Sequence, residues 1–448
     1  MPINTMITPT NTTPSTPANE PTGRQRHGRR QWLRRGAAAV ALTAVLGGLA
    51  APAYAAAGSG TGTHADGGHA DATQRTRGRL ISVTPVETLT RDEVVSRLSE
   101  LGIDGSTVRY GITAHRLTYA TVDPQGHPTT ATGLLVLPRR GPGRSGGPAR
   151  LDLVSDTHGT VAYRASAPSG GPGDNRLTPY LHAAAGRAVS APDYLGLGGG
   201  PGNHPYMDTA SAVTASVDML KATRSAAERL GRPVTRDVYA TGFSQGGQVA
   251  MALGRELSRG RDGFRLRALA PMAGPYDLSG SEIPGIVDGR VEPRTAVFYL
   301  SYFLTAQNRL HPLYKDPAEV FRAPYAQAVE NLFDGNHTEE EIVAGLPATP
   351  DELLTPEWAA NLRDPRGAFR TALVANDGSC DWKPAVPVRL YAGAGDTDVP
   401  VANARACAAD LARHGVRATV VDQGADATHV VTAVRSAPQA VRWFDSLR

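Results

Sequence analysis

A serine, a carboxylate and a histidine stand in this chain in surroundings that suit nucleophilic chemistry. Ser244 lies in Gly242-Phe243-Ser244-Gln245-Gly246-Gly247, after the β-branched and aromatic run Val238 to Thr241 and before a helix-like segment from Gln248 to Leu257. A serine on a tight strand-to-helix turn is held in a strained backbone conformation that lifts its hydroxyl clear of the sheet. Glycine is needed two residues either side, where a Cβ would strike the crossing strand and helix. The helix N-terminus adds a positive dipole and a free N–H beside the hydroxyl, both suited to a developing oxyanion.

A serine nucleophile needs a base, and the base needs an orienting acid. Leu390-Tyr391-Ala392-Gly393-Ala394-Gly395-Asp396-Thr397-Asp398-Val399-Pro400 reads as a strand running into a loop with two carboxylates. Asp396 sits nearest the strand end and is the favoured acid, with Asp398 as its competitor. His429, on the loop Gln423 to Val430, is the only histidine after His414 and fills the place of the base. The order Ser244, Asp396, His429 differs from either common serine-protease order. For the oxyanion, one donor is expected from the Gln245 N–H. A second is expected from the Thr160 N–H in Asp156-Thr157-His158-Gly159-Thr160, where Gly159 permits close approach. His158 is read as a brace for that loop rather than a rival base.

The elements that must position these residues follow a regular rhythm. Arg91 to Leu101 reads as an amphipathic helix, and Val108–Val122 and Thr129–Leu137 as strands around the turn Asp123-Pro124-Gln125-Gly126. Strands at Leu151–Ser155, Arg187–Ala191, Val238–Thr241 and Arg265–Ala270 alternate with helices at Leu177–Ala185, Asp208–Leu230 and after Ser244. The pattern predicts an α/β fold, a mostly parallel central sheet with helices on both faces. Between about 277 and 372 the alternation stops, with no convincing strand and with the apolar stretch Phe298 to Leu304. This is expected to be a helical cap inserted after the sixth strand, over the sheet edge where such sites lie. Phe298 to Leu304 either lines an acyl-binding cleft or packs within that cap. The rhythm resumes with Val388–Ala392, Ala402–His414, Ala418–Val421 and a closing helix.

Residues 1–55 read as an export leader. Arg29-Arg30-Gln31-Trp32-Leu33-Arg34 precedes a mildly apolar run, Gly36 to Ala51, and the small-x-small site Ala53-Tyr54-Ala55. The run is short and rich in Ala and Gly, which disfavours a membrane anchor. The paired arginines resemble a twin-arginine signal with Trp32 in place of the usual phenylalanine. Residues 56–78 are expected to be a disordered linker, and 79–448 the catalytic domain. Without the leader, the +4 net charge becomes 40 basic against 41 acidic residues, so nothing argues for nucleic acid. The two cysteines, Cys380 and Cys407, are expected to pair in an exported protein. Gly196-Leu197-Gly198-Gly199-Gly200-Pro201 lacks the last glycine of a dinucleotide loop and reads as a turn.

These residues resemble the α/β-hydrolase superfamily, and within it secreted bacterial lipases and esterases related to fungal secretory lipases. The resemblance spans roughly Thr84 to Leu447. Gly242 to Gly247, Gly393 to Pro400 and His429 match the superfamily; Ala191-Pro192-Asp193-Tyr194-Leu195-Gly196-Leu197-Gly198, His204-Pro205-Tyr206 and Asp381-Trp382-Lys383-Pro384 are narrower. It implies a helical cap and hydrolysis of small-molecule or lipid carboxylic esters, without cofactor or metal. It also implies a secreted enzyme with no membrane span once the leader is cleaved. A secreted serine peptidase on the same scaffold is the competing reading, and a catalytically dead binding module a third.

Overall fold

Among the described residues nine strands, numbered in chain order, form one sheet in the order 1-2-3-5-4-6-7-8-9. In this computed structural model, residues 76–139 and 150–448 are described. The expected leader, the linker up to residue 75 and most of the loop 139–149 lie outside them. The described residues all fall within one unit of the chain. Strands β1 (Leu80–Leu89), β2 (Gly111–Val122) and β3 (Pro128–Arg139) form an antiparallel meander that joins β5 antiparallel. From there β4 (Leu151–Thr157), β5 (Ala188–Pro192), β6 (Val234–Phe243), β7 (Arg265–Met272), β8 (Arg389–Ala392) and β9 (Thr419–Asp422) are parallel.

Helices cover both faces, as a parallel sheet requires. α1 (Arg91–Glu100) and α2 (Leu177–Ala184) lie on one face, α3 (Thr209–Arg229) and α4 (Gln245–Ser258) on the other. The long α5 (Pro293–Asn308) follows in the cap. α6 (Ala402–Arg413) shares the core of α3 and α4, and α7 (His429–Ser446) that of α1 and α2. α7 accommodates Pro438 within its run. Thr90 caps α1 through a reciprocal pair with Glu93, satisfying two of the free N–H groups at its start.

One strand escaped the sequence reading. β1 buries only Leu80 and Leu89 of its ten residues and contains Pro85 beside a register shift. It is the outermost strand, where a proline costs no ladder hydrogen bond and no apolar face is required. The sheet therefore has one more strand than the alternation suggested, and the cap follows the seventh strand instead of the sixth. Between β7 and β8 the described residues form short helices and loops around α5, with a single isolated bridge, Phe321 to Leu354. These residues have their own apolar core, including Leu300, Tyr302, Phe321, Phe333 and Phe369.

Candidate active site

Ser244 caps the N-terminus of α4 with φ 56° and ψ −126°, a positive-φ conformation rare for a side-chain-bearing residue. The turn is enforced by close approach. A Cβ at Gly242 would lie 2.2 Å from Thr157 Oγ1 and 2.4 Å from Gly246 O. One at Gly246 would lie 1.9 Å from Thr157 O. Both glycines thus let β6 and α4 cross against the end of β4. The Ser244 N–H donates to Met272 O at the end of β7, and the Gly247 N–H turns back to Ser244 O.

The acid and base loops interlock in the same way. The His429 Nδ1 lies 2.7 Å from Asp396 Oδ2. The other carboxylate oxygen, Oδ1, accepts the backbone N–H groups of Asp398 and Val399, each at 2.9 Å. Those two donors fix the plane of a carboxylate that is itself buried. Asp398 instead keeps a half-buried side chain, and burial raises its carboxyl above the ordinary range. A Cβ on Gly393 would meet Thr432 Oγ1 at 2.3 Å, and one on Gly395 would meet Ala425 O at 2.2 Å. The His429 Nε2 is buried with no hydrogen-bond partner. Its ring packs 4.5 Å from that of Phe243, the residue before Ser244.

The loop after β4 reaches the serine from the other side. A Cβ on Gly159 would sit 3.3 Å from Ser244 Cβ, a tight approach that would push on the serine. Thr160 lines the same pocket as Ser244, and its hydroxyl is 3.0 Å from Tyr206 Oη. His158 faces two carbonyls, Gly159 O at 2.7 Å through Nδ1 and Asp193 O at 3.2 Å through Nε2. Packed with its ring 4.3 Å from that of Tyr194, it ties the loop to the turn after β5. Burial lowers its pKa, while the two facing carbonyls oppose that shift. Asp193 in turn accepts from Thr132 Oγ1 at 2.6 Å and Ser169 N at 2.8 Å. Gly196 and Gly198, with φ of 73° and 56°, make the turn beside it, and Gly198 packs directly on the Asp193 carboxylate. The glycine run is a structural turn.

Above Ser244 the cap covers a narrow pocket of about 50 Å³. The apolar stretch divides in two: Tyr299, Leu300 and Phe303 line the pocket, while Tyr302 stacks between Tyr206 at 4.2 Å and Phe333 at 4.7 Å. Sequence reasoning assigned no role to Tyr206 or to Glu282, and both line the pocket. Burial pushes the Glu282 carboxyl up to about 8, with Asp396 and Asp398 adding to the effect. Nothing in the local pattern flags Glu282, a single carboxylate between Ser281 and Ile283. Cys380 and Cys407 form a buried disulfide that closes a loop of sequence separation 27 containing Asp396.

No protein-family model matches the chain, and no curated protein matches it in sequence. Solved structures do. A Legionella pneumophila protein inferred to be a hydrolase shares 24% identity and a TM-score of 0.74, over 82% of this chain and 98% of that one. The Xanthomonas oryzae esterase LipA shares 28% identity and a TM-score of 0.70, over 83% of this chain and all of its own. This chain has the α/β-hydrolase fold. Candida antarctica lipase A, at 13% identity and a TM-score of 0.57 over 79% of this chain and 78% of its own, shares that fold. The likeness of this α/β-hydrolase is to bacterial esterases and fungal lipases, hydrolases of lipase and esterase type.

Proposed function

We propose that the protein is an exported serine carboxylic-ester hydrolase that works through an acyl-enzyme on Ser244. The observation that carries this reading is the buried 2.7 Å pair of His429 and Asp396, whose imidazole leaves Nε2 unpartnered beside the positive-φ turn of Ser244. Ser244 Oγ attacks the ester carbonyl while His429 Nε2 takes its proton. Asp396 holds the imidazole tautomer and stabilises the imidazolium. The Gln245 and Thr160 N–H groups receive the oxyanion. Collapse returns the proton to the leaving alkoxide, and water, activated by the same histidine, releases the acid. No cofactor enters these steps.

The pocket beneath the cap, walled by Leu278, Ile283, Leu300 and Phe303, takes the acyl chain. The likeness to LipA, described as a rice cell wall degrading esterase, supports ester over peptide hydrolysis. The disulfide, and the leader predicted over residues 1–55, support an extracellular site of action. Among the described residues no helix is long and apolar enough to cross a membrane. The test is a panel of nitrophenyl esters of graded acyl length beside aminoacyl anilides. Turnover confined to esters is expected; anilides cleaved in preference would make the protein a peptidase, and neither cleaved would make it a binding module.

A further inference from the structure

Glu282 is placed where an ester hydrolase has no mechanistic use for it. It ends the single turn Leu278–Glu282 at the entrance to the cap, is 6% exposed, and lines the pocket that holds Ser244. One carboxyl oxygen, Oε2, accepts from Asn403 Nδ2 at 2.6 Å. The orientation of that amide is fixed independently, because the Asp277 N–H donates to Asn403 Oδ1 at 3.2 Å and the Asn403 amide also donates to Pro400 O at 3.3 Å. Asn403 therefore donates to Glu282, and Oε2 is an acceptor. The other oxygen, Oε1, is buried with no partner.

The groups facing this carboxyl decide its protonation. Asp396 and Asp398 on the acid loop disfavour the anion, and Arg290 opposes them weakly; Tyr206 and Tyr299 lie close enough to feel its charge. With burial dominant, the acid form prevails at neutral pH. Since Oε2 accepts, the proton sits on Oε1, leaving a hydroxyl-type donor in an apolar pocket with nothing among the described residues to receive it. An unmet buried donor costs roughly 1–3 kcal/mol, a cost that a suitable ligand removes.

We infer that Glu282 is a specificity-determining residue that donates through Oε1 to an acceptor oxygen within the substrate's acyl chain. The preferred substrates are then esters of oxygenated acids, carrying a keto, hydroxyl or ether oxygen part-way along, and not plain alkanoates. Leu278, Ile283 and Phe303 offer no competing polar partner around it. The same donor penalises a plain methylene chain, which buries it unmet.

The inference rests on the esterase reading, and its test separates the two. Nitrophenyl octanoate is compared with isomers carrying one keto oxygen, an acceptor only, at successive chain positions. Hydrolysis of plain octanoate that is lost in Ser244→Ala tests the esterase reading by itself. The ratio of kcat/KM between keto and plain esters tests Glu282. In the native protein at about pH 6 one isomer is expected to exceed octanoate roughly tenfold. Glu282→Leu should bring that ratio to about one, and Glu282→Gln, which keeps an N–H donor, should retain most of it. Raising the pH to about 9.5 ionises Glu282 and should abolish the native preference while leaving that of Glu282→Gln in place, a comparison that stands even where the leucine variant does not fold. A native ratio near one for every isomer, a ratio that survives Glu282→Leu, or a native ratio flat with pH overturns the inference.

Discussion

The sheet and the cap place their functional residues by different means. At the sheet edge, position is set by backbone packed on backbone: Gly242 and Gly246 under Ser244, Gly393 and Gly395 between the acid and histidine loops, Gly159 against the serine. Little can move there without a steric clash. In the cap, position is set by side chains: the Tyr206, Tyr302 and Phe333 stack, the Thr160 to Tyr206 contact, and Glu282 on Asn403. Rigid backbone suits the reacting atoms, where small displacements are costly. Side-chain packing suits recognition, because a pocket wall can change without dismantling the machinery under it.

The sharpest break of this contrast lies at the sheet edge. Ser244→Ala should lower kcat roughly 10⁴ to 10⁶-fold with the fold intact, read by burst kinetics and circular dichroism. Near-normal activity in a folded variant would remove Ser244 from the mechanism. Asp396→Asn should lower kcat by up to roughly 10⁴-fold, because the imidazole loses its tautomer, while Asp398→Asn stays within about tenfold of the native enzyme. The opposite ranking would move the acid to Asp398, whose backbone now serves Asp396.

The remaining predictions concern stability and, in the cap, acyl-length profile. Removing both cysteines should cost roughly 3–4 kcal/mol for a closed loop of this length, less where native strain intervenes. A thiol count on denatured, unreduced protein exported by its native route should be zero. Within the cap, Phe333→Ala should cost about 3–5 kcal/mol and leave the acyl-length profile unchanged, since Phe333 packs in the core away from the pocket. Phe303→Ala should shift the optimum toward longer acyl chains, as it removes pocket wall. Equal profiles for the two variants would remove Phe303 from the pocket wall.

The smallest effect is a pH dependence. Burial raises the Asp156 carboxyl from 3.8 to about 7, so the folded state holds a proton that the unfolded chain releases earlier. The stabilising contribution of the acid form is complete below about pH 4 and is lost as pH rises through about 7. Asp156→Asn should therefore match the native unfolding free energy near pH 4 and exceed it near pH 8, by at most a few kcal/mol. A constant difference across that range would assign Asp156 a partner that keeps it charged.

What could be read without a structure follows the same division. Strand-then-helix alternation is legible because buried parallel strands are continuous apolar runs, and Ser244, Asp396 and His429 stand out because each follows a strand beside a glycine or a short loop. β1 was missed because an edge strand with eight of ten residues outside the core leaves no periodic signature. The cap's roles were hidden for another reason. Tyr302 meets Tyr206, and Glu282 meets Asn403, across long stretches of chain, and such meetings depend on tertiary packing that no local pattern encodes. The stretch 298–304 is apolar but for Ser301, and its sequence left cleft lining and core packing equally open; which side chains turn to the pocket depends on where Tyr206 stands.

The chain leaves the sheet at the end of β7 and returns in β8, and those two strands are direct neighbours, with Met272 paired to Tyr391. Departure and re-entry through adjacent strands make everything between them a cassette, replaceable in one piece without re-threading the sheet. Recombination could exchange such a segment whole, whereas the glycine-locked loops of Asp396 and His429 would have to be inherited together. Several stitches to the rest of the chain limit a transplant, among them Asn403 to Glu282 and to the Asp277 N–H, Gln248 to Asn376 O, Gln307 to Tyr206 O and the Cys380–Cys407 disulfide. A graft that preserves those contacts would give the same machinery a new substrate range, which makes the cap the part of this molecule most open to evolutionary and engineered change.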